Sequence, residues 1–198
     1  MKILFVIFFF FQMLIAENTL LRFDADISLV LQGTNNNSRL GVFFESISLA
    51  SIPTESVMLF QTFKSRTKEE QASLFSAIAI TGLATGTLKL LVNRKRPDRR
   101  YHPRLWNTRI TPSFPSGHAA FSACFATIQS KINPEYSPHF TGYIFLTGYS
   151  QIYTGNHYLS DVLAGWVLGF TIGNILNKSI KSNQHLIPPP SYKFAITF

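Results

Sequence analysis

The sequence is poor in cysteine and in charge. It has one cysteine, Cys124, in 198 residues, which excludes an internal disulfide framework. Cys124 lies in an apolar helical run, a setting for packing rather than reactivity. Charged residues make up 14% of the chain, against about 25% in an ordinary soluble domain. Acidic residues are scarcer still: 10 Asp and Glu face 18 Lys and Arg, for a net charge of +8. No known nucleic-acid motif accompanies the basic residues, so the excess does not point to DNA or RNA. No internal repeat is visible, and strand signal is weak before the last few residues. No arginine follows Arg109.

Aromatic residues are abundant, at 14% of the chain with 19 Phe. High aromatic content with low charge indicates a membrane or membrane-surface protein, although the mean hydropathy of +0.14 is low for a full polytopic bundle. The net positive charge suits an anionic substrate or an anionic lipid surface. A chain of this length can form one domain with a proper core.

The amino terminus carries Lys2, an apolar run from Ile3 to Ile15 and a small residue, Ala16. This reads as a secretory signal peptide cut after Ala16, with an uncleaved anchor as the alternative. Either reading takes the chain into a bacterial cell envelope. Residues 17–177 then form the domain, and 178–198 a polar, proline-rich tail. The tail ends with Tyr192, Phe194, Ile196 and Phe198 in alternation, like the last strand of an outer-membrane barrel. One strand cannot make a barrel, because every backbone group needs a partner.

Within the domain the pattern predicts helices throughout. A short amphipathic helix over 18–32 lies on a surface. A mildly apolar helix over 41–63 carries Glu45 and Glu55, is interrupted at Pro53, and is a poor lipid-facing span. Residues 72–92 are the best span, with Ala77, Ala79, Gly82, Ala84 and Gly86 available for close helix packing. A basic loop runs from Asn93 to Arg109. Further helices begin near Ser116, at 139 and at 160, with a loop at Pro134 and Pro138.

Three short blocks carry chemistry. The first is KLLVNRKRP, Lys89 to Pro97; the second is PSGH, Pro115 to His118; the third is SQIYTGNHYLSD, Ser150 to Asp161. Two histidines, an aspartate, several cations and a Ser-Gly step suit phosphoryl transfer without a metal. Lys89 is the one charge inside the apolar run over 72–92, and burying it is costly unless an anion compensates. Lys89 and Arg96 are expected two helical turns apart on a similar face. Ser116 and Gly117 sit at a helix start, where backbone N–H groups and the helix dipole favour an anion. Arg94, Lys95, Arg99 and Arg100 read as solvated flank. His118, His157 and Asp161 could also suggest a metal site, but the surrounding cations would repel a divalent ion.

These blocks resemble the type 2 phosphatidic acid phosphatase superfamily, PAP2, whose pattern is K-x6-R-P, then P-S-G-H, then S-R-x5-H-x3-D. The resemblance covers roughly residues 20–177. It implies an all-α helical bundle of about six helices, embedded in or associated with a membrane. It implies that His157 is the nucleophile forming a phospho-histidine, that Asp161 orients it, and that His118 protonates the leaving oxygen. Lys89, Arg96, Ser116 and Gly117 would bind the phosphate. The implied substrate is a phosphate monoester or pyrophosphate, lipid-linked given the apolar helices, with no cofactor. One position departs: the third-block arginine of the family is Gln151 here. Gln151 can donate a hydrogen bond but carries no charge. The alternatives are an arginine supplied by the 94–109 loop, or a protein that binds phospholipid headgroups with impaired catalysis. The sequence is silent on oligomeric state.

Overall fold

The structure, a computed structural model, describes residues 19–179 except 36–37, 65, 106–107 and 110–111. The expected signal segment and almost all of the tail lie outside the described residues. Six α-helices and two short 3₁₀ turns make up the regular structure, with no strand among the described residues. The helices are α1 (Thr19–Leu31), α2 (Arg39–Lys64), α3 (Lys68–Val92), α4 (Gly117–Ile132), α5 (Ser137–Tyr153) and α6 (Leu159–Leu176). The expected all-α bundle of about six helices is what is found.

Helix boundaries follow local chemistry. Thr67 starts α3 with a reciprocal capping box: its hydroxyl accepts from the Glu70 amide, and the Glu70 carboxylate accepts from the Thr67 amide. Asn93 ends α3 in the left-handed region at φ 45°, its amide bonded to the Lys89 carbonyl. Arg96 is therefore not on the helix of Lys89, contrary to the two-turn expectation. It lies in the irregular segment that follows. Pro134 opens a 3₁₀ turn and Pro138 lies in the first turn of α5, so both begin helices rather than forming a loop.

Pro53 does not interrupt α2, which runs unbroken over 26 residues. Helices α2, α3 and α6 are each long and apolar enough to cross a membrane. The two carboxylates on α2 do not prevent this, because Glu45 and Glu55 turn inward and are buried. Glu55 accepts a hydrogen bond from the Tyr143 hydroxyl of α5 at 2.7 Å, which meets its polar demand inside the bundle. Large apolar side chains point outward instead, among them Phe60, Phe75, Leu83, Leu90 and Phe170.

At the centre is α4, buried on nearly all sides by residues such as Ala119, Ala123, Phe125 and Ile128. Its main partner is α6. Gly165, Gly169 and Gly173 form a stripe on α6 that lets the two backbones touch. A Cβ on Gly165 would stand 2.6 Å from the Ser116 carbonyl oxygen, and one on Gly173 would stand 2.9 Å from Thr127 Cβ. The close-packing glycines are thus on α6. Gly86 of α3 has nothing within 4 Å of such a position. The α4–α6 seam fixes the start of α4 against the start of α6, and these two ends carry PSGH and Asp161.

Candidate active site

Helix α1 does more than lie on a surface. Its Asp24 and Ser28, one turn apart, cap the start of α6: Ser160 N donates to Asp24 at 3.0 Å and Leu159 N to Ser28 at 2.8 Å. The Ser160 hydroxyl also donates to Asp24. Asp161 is buried completely and accepts from the Tyr158 amide at 3.0 Å. Arg94 bridges the two carboxylates. Its guanidinium reaches Asp161 at 2.8 Å and Asp24 at 2.7 Å, bonds Ser160 at 2.7 Å, and lies 3.9 Å over the Tyr158 ring. The expectation that Arg94 is solvated flank is therefore wrong. A charge in this position is held by two carboxylates and an aromatic face.

His157 sits on the turn between α5 and α6, with its amide bonded to the Gln151 carbonyl at 3.1 Å. Its Nδ1 lies 3.5 Å from both Asp161 Oδ2 and Ser113 Oγ, and the Ser113 hydroxyl donates to Asp161. Its Nε2 faces away from Asp161, 3.2 Å from Arg96 Nη1. A proton on Nδ1, toward the carboxylate, leaves the Nε2 lone pair directed at the cavity. Burial first, and then Arg96 and Lys89, push the His157 pKa down to about 4 against the opposing pull of Asp161. The ring is neutral at ordinary pH.

Ser116 N-caps α4, its hydroxyl accepting from the Ala119 amide at 3.4 Å, while its own amide donates to the Asp161 carbonyl at 2.9 Å. The amides of Gly117 and His118 follow, where a helix has no acceptor of its own. The His118 side chain lies in this first turn. Burial, with Arg96 and Lys89 adding to it, pushes its pKa down to about 4.

One cavity of about 390 Å³ gathers much of this chemistry, lined by Arg96, His118, Gln151 and His157 together with Glu45, Asn156 and Arg109. Leu49 and Ile52, on the outer side of α2, line it as well. Asp161 stands behind His157, and Ser116 stands behind the α4 start. Lys89 does not line this cavity; its ammonium donates to the carbonyls of Pro112 and Ser113 at 2.9 and 3.1 Å. From there it braces the segment that carries Ser113 and adds positive charge near both histidines.

Gln151 is 1% exposed. Its amide nitrogen donates to Ser48 at 2.9 Å and its oxygen accepts from Asn156 at 3.3 Å. Arg96 donates to the Asn156 carbonyl; burial and neighbouring Arg109 lower its pKa to about 10. Arg99 donates to the Asn156 side chain at 2.6 Å. Glu45 accepts from the Tyr101 hydroxyl at 3.1 Å and from the Leu105 amide, clamping the basic loop onto α2.

The sequence reading missed Ser113, Asp24 and Glu45 as parts of the site, and although it allowed an arginine from the 94–109 loop it singled out neither Arg94 nor Arg109. The basic loop was visible as a cluster, but nothing in its order tells Arg94, turned toward Asp161, from Arg109, turned into the cavity. Asp24 had no local signal at all.

Residues 71–184 match the profile of the PAP2 superfamily. The Lipid A 1-phosphatase of Rhizobium etli is 31% identical over 106 residues, covering 50% of this chain and 45% of that protein. The decaprenylphosphoryl-5-phosphoribose phosphatase of Mycobacterium tuberculosis is 36% identical over 109 residues, covering 54% and 56%. The chain spans about half the length of the curated relatives it matches. Among solved structures, a transmembrane PAP2-type phosphatidylglycerolphosphate phosphatase from Bacillus subtilis superposes with a TM-score of 0.67 at 25% identity, over 85% of this chain and 91% of that one. Aquifex aeolicus LpxE superposes with a TM-score of 0.61 at 26% identity, over 76% and 92%.

Proposed function

Because the chain belongs to the PAP2 superfamily, we propose that it is a membrane-embedded, metal-independent phosphatase acting on a lipid-linked phosphate monoester or pyrophosphate. The observation that carries this reading is that His118, His157 and Arg96 face one cavity, with Asp161 behind His157. The relatives named for lipid A and decaprenyl substrates support a lipid-linked substrate, as do Leu49 and Ile52 at the cavity wall.

The reaction runs in two steps. The Nε2 lone pair of His157 attacks phosphorus, and the bond from phosphorus to the leaving oxygen breaks. His118, protonated, gives its proton to that oxygen. Asp161 meets the positive charge that develops on the His157 ring. Water then attacks the phospho-histidine, His118 takes the water proton, and the P–N bond breaks to release phosphate. Arg96, the α4 amides at Gly117 and His118, Ser116 as their cap, and the more distant charge of Lys89 stabilise the equatorial oxygens, where charge accumulates. Gln151 takes part as a buried acceptor that holds the His157 turn, its carbonyl bonded by the Asn156 and His157 amides and its side-chain oxygen by Asn156, rather than as a cation. The catalytic face would open to the periplasm if the amino-terminal segment directs export.

The rival reading is a headgroup-binding protein with impaired catalysis, motivated by Gln151. Phosphate release from a panel of phospholipids, lipid A and prenyl pyrophosphates, in detergent with EDTA, separates the two. The expected result is EDTA-resistant release that disappears in His157→Ala. Binding without release on every lipid would favour the rival.

A further inference from the structure

We infer that Arg109 is a substrate-contacting cation of this site, meeting the phosphate on the side of the cavity where Gln151 supplies no charge. The inference rests on the phosphate-site reading above and adds a residue that the three motif blocks do not contain.

Three observations carry it. First, Arg109 lines the cavity of His118, His157 and Arg96. Second, its guanidinium is only partly committed. Its Nη1 donates to the carbonyls of Pro97 and Gly155, both at 2.9 Å. A guanidinium has five N–H groups, so these two bonds leave the Nε and Nη2 donors with no acceptor among the described residues. The two carbonyls belong to the segment just after Arg96 and to the turn just before His157. The group is thus held rigidly between the proposed phosphate clamp and the proposed nucleophile. Third, burial disfavours the charge of Arg109, with Asp98 and Tyr158 acting the other way, and positive charge accumulates around it. Arg109 lies close enough to Arg96 and Arg99 to lower the pKa of each. Three guanidiniums beside one partly buried cavity repel one another, and a multivalent anion there would add to what Asp98 and Glu45 already offset.

Gln151 cannot supply this charge. It is neutral and buried, and both ends of its amide are bonded, to Ser48 and Asn156. A phosphoryl group in transfer has three equatorial oxygens to satisfy. Arg96 and the start of α4 approach them from two directions. A held fork such as that of Arg109 suits a third.

The test compares wild type with Arg109→Gln, Arg109→Lys and Arg109→Ala in detergent. It measures kcat/KM for phosphate release, the Kd for inorganic phosphate, and thermal unfolding. Arg109→Lys carries a donor long enough to approach the two carbonyls that Nη1 bonds, so it keeps the protein testable if Arg109→Gln or Arg109→Ala fails to fold. The expected result is a loss of about 10²-fold in kcat/KM for Gln and Ala, phosphate binding at least about tenfold weaker, and partial retention by Lys. If Arg109→Gln stays within about threefold of wild type in kcat/KM with unchanged phosphate affinity, while His157→Ala is inactive, the role of Arg109 is overturned and the phosphatase reading stands. If wild type releases phosphate from no substrate, the phosphatase reading fails and the phosphate Kd alone decides. A weaker Kd in Arg109→Gln then supports the contact, and an unchanged one overturns it.

Discussion

Behind His157, every charge has a fixed protein partner. Asp24 and Asp161 share Arg94, Ser113 and Ser160 add hydroxyl donors, and Tyr158 covers the guanidinium. In front of His157, the cavity holds Arg96 and Arg109, with Arg99 close by and Glu45 as the one carboxylate among the described residues of its lining. Glu45 is itself occupied by Tyr101 and Leu105. On the proposed function, one wall stays as it is and the other receives negative charge. Arg94 and Arg109 come from the same basic loop, yet they serve these opposite purposes.

The comparison breaks first at Asp161. Asp161→Asn removes the carboxylate that orients His157, and we expect kcat to fall by about 10³-fold. Steady-state kinetics with phosphate binding in parallel checks this. Binding of inorganic phosphate should change little, because Asp161 does not line the cavity. Equal losses in both would place Asp161 on the receiving wall.

The next largest effect separates the two arginines. Arg94→Met leaves the buried Asp161 and its neighbour Asp24 without a counter-charge and should cost about 3 kcal/mol of stability. Denaturation in detergent measures it. Arg109→Gln loses two bonds to carbonyls but leaves no buried carboxylate unpaired, so it should cost clearly less stability in the same assay and lose phosphate affinity instead. A reversal of these two phenotypes would refute the contrast.

The pH dependence tests both walls. The His118 and His157 pKa values are pushed down to about 4, from an ordinary value near 6.5. Unfolded chains therefore bind more protons than the folded protein between these values, and stability falls as pH drops from about 6.5 toward 4. A bound phosphate raises the His118 pKa, so the complex binds more protons than the empty site. Affinity for the phosphate dianion, corrected for the titration of phosphate itself, should therefore rise as pH falls through the pKa of the bound form. Unfolding curves and phosphate titrations between pH 4 and 8 check both signs. An affinity that rises with pH would contradict the proton uptake.

The smallest effect is expected at Gln151. If Arg109 supplies the charge, Gln151→Arg gains nothing and perturbs Ser48 and Asn156, so kcat/KM should stay level or fall a few-fold. A tenfold gain would show that the receiving wall lacks a cation after all.

Much of this contrast was out of reach of the sequence. The three blocks were legible because each is short and local, and the helices because their apolar runs are long. Of the inert wall only Asp161 was legible. The rest depends on Asp24, far from its partners in sequence, and on an Arg94 that looks like any other residue of a basic run. The tight α4–α6 seam was missed for a related reason. Small residues occur on both α3 and α6, and only packing shows that Gly165, Gly169 and Gly173 are the ones that touch a neighbouring backbone. The Lys89–Arg96 spacing misled because Asn93 turns left-handed and ends the helix between them.

The central claim is that His157 attacks phosphorus. The most direct measurement is a single turnover with a radiolabelled aryl phosphate, whose leaving group needs no proton, in the His118→Ala variant. The protein would be quenched under alkaline conditions that preserve phospho-histidine and then mapped by mass spectrometry. The account predicts label on His157, formed at the rate of aryl alcohol release and lost slowly, and no label in His157→Gln. Release of aryl alcohol with no labelled His157, or label on another residue, would contradict it.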